Sequence, residues 1–446
     1  MALRERWTGR FGFVMATAGF AVGLANIWRF PYVVGQNGGA AFLIAYLVFA
    51  VLIGIPLLTA ETSLGRRAQR SPVAGMARLV GARSPWMAFP WLGISTTFVI
   101  VANYLVLLSW IGGYLVLLLL GRLPSGTPDA IAGAFNAYIA TPAPVLLGSG
   151  ALMLTCGLLV ARGLTGGLER VARVAMPALL VTLLLLAARS LTLRGAAEGI
   201  SWYLQPDFSR LGPGALLTAM GQAFFSIGVG LASAFGMASY LDPDTSDIPG
   251  NAVLVAGCDT AVAVLAGFVI FPALFAFGME PDSGPTLLFI SMPALFAQMP
   301  AGALFGAVFL ALLLVAGITS MIAALQVMAA VARDTFGWSR PVAAVSLAWF
   351  AMSVPVALAK GPLSHIRVGG LDLFDALDMT VGVYLVPLGG LVLALYVATS
   401  VNWETFMADT NRGSGLVRVT AAWRPFLKLL IPAALTLVFL GGLGLL

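Results

Sequence analysis

The chain has 446 residues, of which 60% are hydrophobic and only 9% are charged. Soluble domains carry about 25% charged residues, so the composition excludes a soluble protein and indicates a polytopic protein of the lipid bilayer. The formal net charge is +6, but the basic residues cluster near the ends of apolar segments, which indicates membrane topology and not nucleic-acid binding.

Apolar segments of about 20 residues, the length that spans a bilayer, predict eleven transmembrane helices. They lie near residues 11–35, 39–64, 86–120, 145–162, 168–188, 213–240, 250–278, 303–332, 341–359, 371–398 and 422–446. With a cytoplasmic N-terminus, seventeen Lys and Arg residues lie on the inner side and six on the outer side. Because basic residues are retained in the cytoplasm, we expect a multi-pass protein of the cell inner (plasma) membrane with its C-terminus outside.

The first predicted span contains residues that a lipid-facing helix rarely carries, namely Gly19, Gly23, Asn26 and Arg29. A charged side chain at membrane depth is costly and marks a functional site, so Arg29 is expected to have a partner. The two glycines predict a break in the helix, which would free backbone carbonyls to bind a ligand.

The sixth span has a similar interruption, Phe225-Ser226-Ile227-Gly228-Val229-Gly230-Leu231. Two broken spans in corresponding positions of two halves are typical of inverted-repeat transporters that bind substrate near the bilayer midplane. Repeat one would cover about 11–188, repeat two about 213–398, and the span 422–446 would be extra, all within one transporter domain, 1–446. Alternatively, the glycines are only the small residues that allow membrane helices to pack closely.

The interrupted spans belong to a wider set of motifs, namely Gly19 to Pro31, Gln36-Asn37-Gly38-Gly39, Gly54-Ile55-Pro56, Gly221 to Ser226 and Ala316 to Ser320. Over nearly the full length, this set resembles the neurotransmitter:sodium symporter family. The resemblance implies an all-α fold of the LeuT type, with a 5+5 inverted repeat, broken helices 1 and 6, and one extra helix. It also implies a bacterial transporter that couples amino-acid uptake to sodium.

By resemblance the protein binds two sodium ions and no organic cofactor. One sodium site would be formed by Gly19, Val22, Ala316, Thr319 and Ser320, and the other by Ala21, Asn26, Ser226 and Asp259. Carbonyl, hydroxyl, amide and carboxylate oxygens suit a hard cation. Taken alone, Thr319 and Ser320 would more often bond to their own preceding turn, and Asp259 could merely cap the wetter end of its span.

Chloride-dependent members of the family place an anion beside the second of these sodium sites. The matching positions here are Tyr46, Gln222, Ser226 and Ala263. Ala263 lacks the expected hydroxyl, and Asp259 places a fixed negative charge where many relatives have Asn. We therefore expect Asp259 to replace chloride.

The expected substrate follows from Gly23, which stands where monoamine carriers of the family have Asp. A substrate that brings its own carboxylate, an amino acid, fits this replacement. The resemblance implies substrate contacts from Phe20, Ala21, Leu24, Ala25, Ile100, Tyr104, Phe225, Ser226, Gly228, Leu231, Ser320 and Ala324. Gly228 and Ala324 would enlarge the pocket and favour a hydrophobic or aromatic side chain, whereas Phe20 and Ala25 depart from the family pattern and would narrow it.

Two gates are also implied by the resemblance. On the outer side, Arg29 would pair with Asp375, because an arginine and a carboxylate can bind in a bidentate manner. On the inner side, the gate would comprise Arg4, Trp7, Tyr240 and Asp334. An Arg4–Asp334 contact could instead be a loose surface ion pair worth under about 1 kcal/mol.

Other classes fit the sequence less well. The chain has one histidine, His365, and no grouping with metal-ligand spacing, so we expect no enzyme. A channel would need pore-lining rings supplied by an oligomer. The remaining alternative is a proton-coupled amino-acid transporter of the amino acid-polyamine superfamily, which shares the fold. The hydroxyl pair Thr319 and Ser320, with Asn26 and Asp259, favours sodium.

Overall fold

The structure, a computed structural model, describes residues 5–123, 128–278, 289–290, 292, 296, 300–413 and 415–445. Its first helices are α1 (Arg10–Ala21), α2 (Phe30–Gln36), α3 (Ala40–Phe49), α4 (Ile55–Ala68), α5 (Pro72–Val80), α6 (Ala88–Leu119), α7 (Pro128–Ala140), α8 (Pro142–Val160) and α9 (Arg170–Leu191). π-helical turns at Ala25–Arg29, Ala50–Gly54 and Leu164–Glu169 lead directly into α2, α4 and α9, and a 3₁₀ turn at Pro85–Met87 precedes α6.

The later helices are α10 (Ala196–Leu204), α11 (Pro213–Ile227), α12 (Ser233–Ala238), α13 (Ile248–Ala276), α14 (Gly302–Phe336), α15 (Pro341–Leu358), α16 (Leu373–Met379), α17 (Val386–Ser400), α18 (Trp403–Thr410), α19 (Trp423–Pro425) and α20 (Ile431–Gly442). A 3₁₀ turn lies at Phe208–Arg210, and π-helical turns lie at Thr380–Leu385 and Phe426–Leu430. Strands β1 (Arg367–Val368) and β2 (Leu371–Asp372) pair in antiparallel fashion. Proline opens α8, α11 and α15, where its fixed φ and missing N–H suit a first helical turn.

Nine helical stretches in the described part of the chain are long and apolar enough to cross a bilayer, and the pair formed by Arg10–Ala21 and Ala25–Gln36 makes a tenth. Their ends lie within a few residues of the predicted spans. The predicted sixth span consists of α11 and α12, which have 15 and 6 residues and are each too short to span alone. The protein is therefore a multi-pass helical membrane protein.

The break in the first span lies between α1 and the π-helical turn, at residues 22–24, and the helix bends there by 56°. Val22 has an extended backbone and closes α1 with a bond from its N–H to the Ala18 carbonyl, 2.6 Å. The Gly23 N–H donates to Asn26 Oδ1 at 3.1 Å, and the Leu24 N–H donates to the Tyr104 hydroxyl at 3.1 Å. These side chains satisfy the amides that the interrupted helix leaves without carbonyl partners.

The second break separates α11 from α12. Gly228 and Gly230 have φ of 70° and 87° there, a conformation that glycine adopts at little cost. The carboxylate of Glu61, on α4, accepts the freed amides of Gly230 at 2.8 Å and Phe235 at 3.2 Å. Because α1 packs against α9, α13 and α14 and residues of the second break such as Val229 and Ala232 are fully buried, the two breaks lie inside the helix bundle.

Candidate substrate and sodium site

One cavity of about 410 Å³ lies against both breaks and continues to the side chains of Arg29, Asp375 and Asp378. All the residues predicted to contact substrate line it, namely Phe20, Ala21, Leu24, Ala25, Ile100, Tyr104, Phe225, Ser226, Gly228, Leu231, Ser320 and Ala324. The cavity is mainly apolar, which is typical of pockets that bind a small organic ligand with a few placed polar groups.

The Asp259 cluster, which comprises Asn26, Ser226 and Asp259, joins the first break to α11 and α13. Asn26 Nδ2 donates to Asp259 Oδ1 at 2.7 Å and to the Asp259 carbonyl at 3.1 Å. Ser226 Oγ donates to Asp259 Oδ2 at 2.7 Å and accepts from Asn26 Nδ2 at 3.0 Å. Asp259 is completely buried, so it does not cap an exposed end of its helix, and its carboxylate concentrates a negative charge beside the cavity.

The Ser320 cluster, which comprises Gly19, Val22, Ala316, Thr319 and Ser320, lies where α14 crosses the end of α1. Ser320 Oγ is 2.9 Å from the Gly19 carbonyl, 3.1 Å from the Val22 carbonyl and 3.2 Å from the Ala316 carbonyl. Thr319 Oγ1 donates to the Ala316 carbonyl at 2.8 Å, in its own preceding turn. Five oxygen atoms from two helices thus converge without a formal charge, a donor set that fits a small monovalent cation.

The predicted anion position contains two buried donors, Tyr46 Oη and Gln222 Nε2. Neither makes a hydrogen bond of normal geometry to a described residue, and Tyr46 interacts with the side chain of Asp259. Tyr46 faces Asp259, and Ala263 is fully buried. Buried donors are normally satisfied, so these two indicate that a negative group is to be accommodated at this position.

The space beside Gly228 is occupied by an aromatic ring. A Cβ atom at position 228 would lie 2.9 Å from Phe20 Cε1. Gly228 therefore admits Phe20, and the enlargement that we expected from Gly228 is largely filled. At Gly23, a Cβ would lie 2.8 Å from the Tyr104 hydroxyl and 3.3 Å from Ser320 Oγ, so the absence of a side chain there keeps both hydroxyls next to the break.

At the outer end of the cavity, the expected pair of Arg29 with Asp375 is not formed in the structure. Asp375 binds Lys360 Nζ at 2.8 Å, and the same nitrogen is 2.8 Å from Asp372. Arg29 instead lies over the ring of Phe225, 4.5 Å from its centroid, where its electrostatic partner is Asp378. The reason is that Lys360, which follows α15, neutralises both acids at the start of α16.

At the opposite end, Trp7 holds the N-terminal segment against α12. Its Nε1 donates to the Met237 carbonyl at 3.0 Å, and its backbone N–H donates to the Tyr240 carbonyl at 3.3 Å. Asp334 Oδ2 accepts the backbone N–H of Ser71 at 3.0 Å. Arg4 lies outside the described residues. Of the four predicted inner-gate residues, the structure thus places Trp7 and Tyr240 together and Asp334 against the start of α5.

Two buried carboxylates were missing from the sequence-based site. Glu61 supports the second break, and Glu169, at the π-helical turn before α9, accepts the Thr8 backbone N–H at 3.1 Å and also binds the Thr8 hydroxyl. A carboxylate within a predicted span was a sufficient signal for both residues. Their partners are backbone amides, which sequence patterns do not identify.

Comparison with known proteins supports the same interpretation. The family model described as "Sodium:neurotransmitter symporter family" matches residues 4–132 and 146–444. The chain belongs to this family. Members of the family are transporters and not enzymes, and its sodium dependence applies to this chain.

Relatives match the symporter along its length. The uncharacterized sodium-dependent transporter YhdH of Bacillus subtilis is 38% identical over 449 residues, covering 99% of this chain and 98% of the relative. An uncharacterized sodium-dependent transporter of Haemophilus influenzae is 31% identical over 453 residues, with 99% and 98% coverage. The crystal structure of MhsT in complex with L-phenylalanine superposes with a TM-score of 0.89 at 37% identity, covering 99% of this chain and 100% of that chain. The symporter therefore has the LeuT-type fold.

Proposed function

We propose that this symporter imports an amino acid, hydrophobic or aromatic in character, together with two sodium ions by alternating access. The observation that carries the proposal is the position of the first break. It brings the Leu24 amide and the Tyr104 hydroxyl to the same cavity as Ser226, whose hydroxyl binds Asp259. A substrate carboxylate at this place would accept from the hydroxyl and the amide while contacting a sodium ion held by Asp259.

The two sodium ions would occupy the two oxygen clusters. The oxygens of the Asp259 cluster, from Asn26, Ser226 and Asp259, would bind the first ion together with the Ala21 carbonyl. Ala21 lines the cavity beside this cluster, which supports its role as a ligand. In the Ser320 cluster, three carbonyls and two hydroxyls would bind the second. Hydroxyls that now donate to carbonyls would turn their lone pairs toward the cation.

The apolar walls support a hydrophobic or aromatic side chain on the substrate. Phe20, Ile100, Phe225, Leu231 and Ala324 surround the part of the cavity next to the breaks. MhsT, which was crystallised with L-phenylalanine, provides a precedent for an aromatic ligand in this fold.

We also propose chloride independence, with Asp259 as the fixed negative charge. Support comes from its complete burial beside Tyr46 and from the buried donors Tyr46 Oη and Gln222 Nε2, neither of which makes a hydrogen bond of normal geometry to a described residue. A carboxylate that reoriented toward these donors would satisfy them without an external anion.

The proposed architecture is eleven spans in one domain, with repeats at about 11–188 and 213–398 and an extra span at 422–446. The N-terminus would be cytoplasmic and the C-terminus outside the plasma membrane. In this topology the end of the cavity lined by Arg29 and Asp378 would face the outside, and Trp7 would close the inner end by its bonds to α12 and Tyr240. After substrate binds, Arg29 would move from Phe225 toward Asp375 or Asp378, and the Arg4, Trp7, Tyr240 and Asp334 group would open.

The test is uptake of labelled phenylalanine and leucine by the purified chain in liposomes. We expect uptake driven by an inward sodium gradient, and unchanged uptake when gluconate replaces chloride. Uptake that follows a proton gradient in the absence of sodium would instead establish the proton-coupled alternative. A steep loss in gluconate would contradict the role proposed for Asp259.

A further inference from the structure

Asn103 is a buried side chain that lines the cavity. It lies on α6, which also contributes Ile100 and Tyr104 to the cavity wall. Its exposed fraction is 7%. Its Oδ1 is buried and has no hydrogen-bond partner among the described residues. Nothing in the sodium clusters or in the carboxylate site uses it.

The other polar side chains that α6 directs into this cavity are satisfied. Thr97 Oγ1 bonds to the carbonyls of Gly93 at 2.9 Å and Leu231 at 3.3 Å, and Tyr104 accepts from Leu24. A buried amide without a partner is costly, and an asparagine can act as both donor and acceptor. Trp28 also lines the cavity, and its buried Nε1 has no hydrogen-bond partner in the part of the chain that the structure describes. These two groups indicate that the occupant of the cavity brings polar atoms to a mostly apolar wall.

We propose that Asn103 accepts a polar hydrogen from an aromatic side chain of the substrate. This inference rests on the proposed amino-acid transport and narrows its substrate class to aromatic amino acids with a side-chain donor, the indole N–H of tryptophan or the hydroxyl of tyrosine. Phe20, Ile100 and Phe225 surround the apolar part of such a ring. A site built to hydrogen-bond a substrate disfavours the isostere that lacks the donor, because its own polar atom stays unpaired.

Competition against sodium-driven uptake of labelled phenylalanine tests the proposal. Tryptophan is compared with 3-(3-benzothienyl)-L-alanine, in which sulfur replaces the N–H, and tyrosine is compared with phenylalanine. In the native chain we expect the donor-bearing member of each pair to compete about tenfold more strongly, the ratio that corresponds to about 1.4 kcal/mol. In Asn103→Leu, which keeps the number and branching of the side-chain heavy atoms, both ratios should fall toward one. Asn103→Thr, which keeps a hydroxyl, should retain an intermediate ratio.

Unlabelled leucine, which has no side-chain donor, provides the internal control for folding. Its inhibition constant should stay within about twofold in both variants, since it never pairs with Asn103. Native ratios near one, or ratios that Asn103→Leu leaves unchanged, would overturn the proposal and indicate that water satisfies the amide. Absence of any sodium-driven uptake by the native chain would instead defeat the proposed function, and this inference with it.

Discussion

The two oxygen clusters of this symporter differ in the origin of their negative potential. The Asp259 cluster contains a carboxylate and joins side chains from three elements, the π-helical turn 25–29, α11 and α13. The Ser320 cluster contains carbonyls and hydroxyls only, and it joins α1 to α14. Both clusters lie at the same break of the first span, yet only the Asp259 cluster contains a negative charge that can neutralise a bound sodium ion.

This difference separates two tasks within one transport cycle. A sodium ion beside Asp259 offsets the charge of that carboxylate in the loaded complex and, in the proposed function, holds the carboxylate of a zwitterionic substrate. A sodium ion in the Ser320 cluster remains uncompensated, so the membrane potential acts on it with about 2.3 kcal/mol per 100 mV. The Asp259 cluster would thus serve substrate binding, and the sodium ion of the Ser320 cluster would make the movement of the loaded complex depend on voltage.

The largest effect is expected from Asp259→Asn, which removes the charge that distinguishes the clusters. Hydrogen bonds to charged groups contribute about 1.5–3 kcal/mol, and we expect sodium affinity to fall roughly a hundredfold, equivalent to about 2.7 kcal/mol. The measurement is sodium-dependent binding of a labelled amino acid to the purified protein. Asp207→Asn, at an exposed loop carboxylate paired with Arg210, is the matched control and should bind as the native chain does. Native affinity in Asp259→Asn would show that the clusters do not differ by charge.

Gly23→Ala should disturb the proposed substrate contact of Tyr104 and the Ser320 cluster together. Its new Cβ would lie 2.8 Å from the Tyr104 hydroxyl and 3.3 Å from Ser320 Oγ. Overpacking of this kind costs about 1–3 kcal/mol, so amino-acid affinity measured at saturating sodium should fall by roughly thirtyfold, equivalent to about 2 kcal/mol. Gly257→Ala on α13 is a glycine control that should retain native affinity, because no atom of the described residues lies within 4 Å of the new Cβ. An unchanged affinity in Gly23→Ala would mean that Tyr104 does not contact the substrate.

Chloride offers a way to restore the charge without the carboxylate. In Asp259→Asn, the donors Tyr46 Oη and Gln222 Nε2 remain and can bind a chloride ion by charge-assisted hydrogen bonds. Replacing gluconate with chloride should therefore raise uptake by this variant about tenfold, equivalent to about 1.4 kcal/mol. The native chain should not respond to the exchange. If chloride leaves the variant unchanged, the anion position is not where these donors lie, and Asp259 acts on sodium alone.

The sequence predicted much of this arrangement because its motifs report local chemistry. Gly19 and Gly23 mark a break, and Asp259 is a membrane-depth carboxylate, so both could be identified without coordinates. The partner of Arg29 could not, because the choice between Asp375 and Asp378 depends on Lys360, which the loop after α15 brings to within 2.8 Å of Asp375. Asn103 was missed for a similar reason. The sequence does not show whether an asparagine in a helix has a hydrogen-bond partner, and only the structure shows that Asn103 Oδ1 has none among the described residues.

The smallest effects are expected from removing the two hydroxyls of the Ser320 cluster one at a time, and the two removals should differ in size. Ser320 Oγ reaches across to the Gly19 and Val22 carbonyls, whereas Thr319 Oγ1 bonds within α14. Ser320→Ala would lose an ion ligand and the contacts that link α14 to the broken helix, so sodium affinity should fall about fivefold, equivalent to about 1 kcal/mol. Thr319→Val keeps the side-chain shape and the helix contacts, and it should lower the affinity about twofold. Voltage provides the sharper readout, because both variants should weaken the response of uptake to an imposed membrane potential while Asp207→Asn leaves it intact. Equal or reversed effects of the two variants would show that the link between α14 and α1 contributes nothing to ion binding.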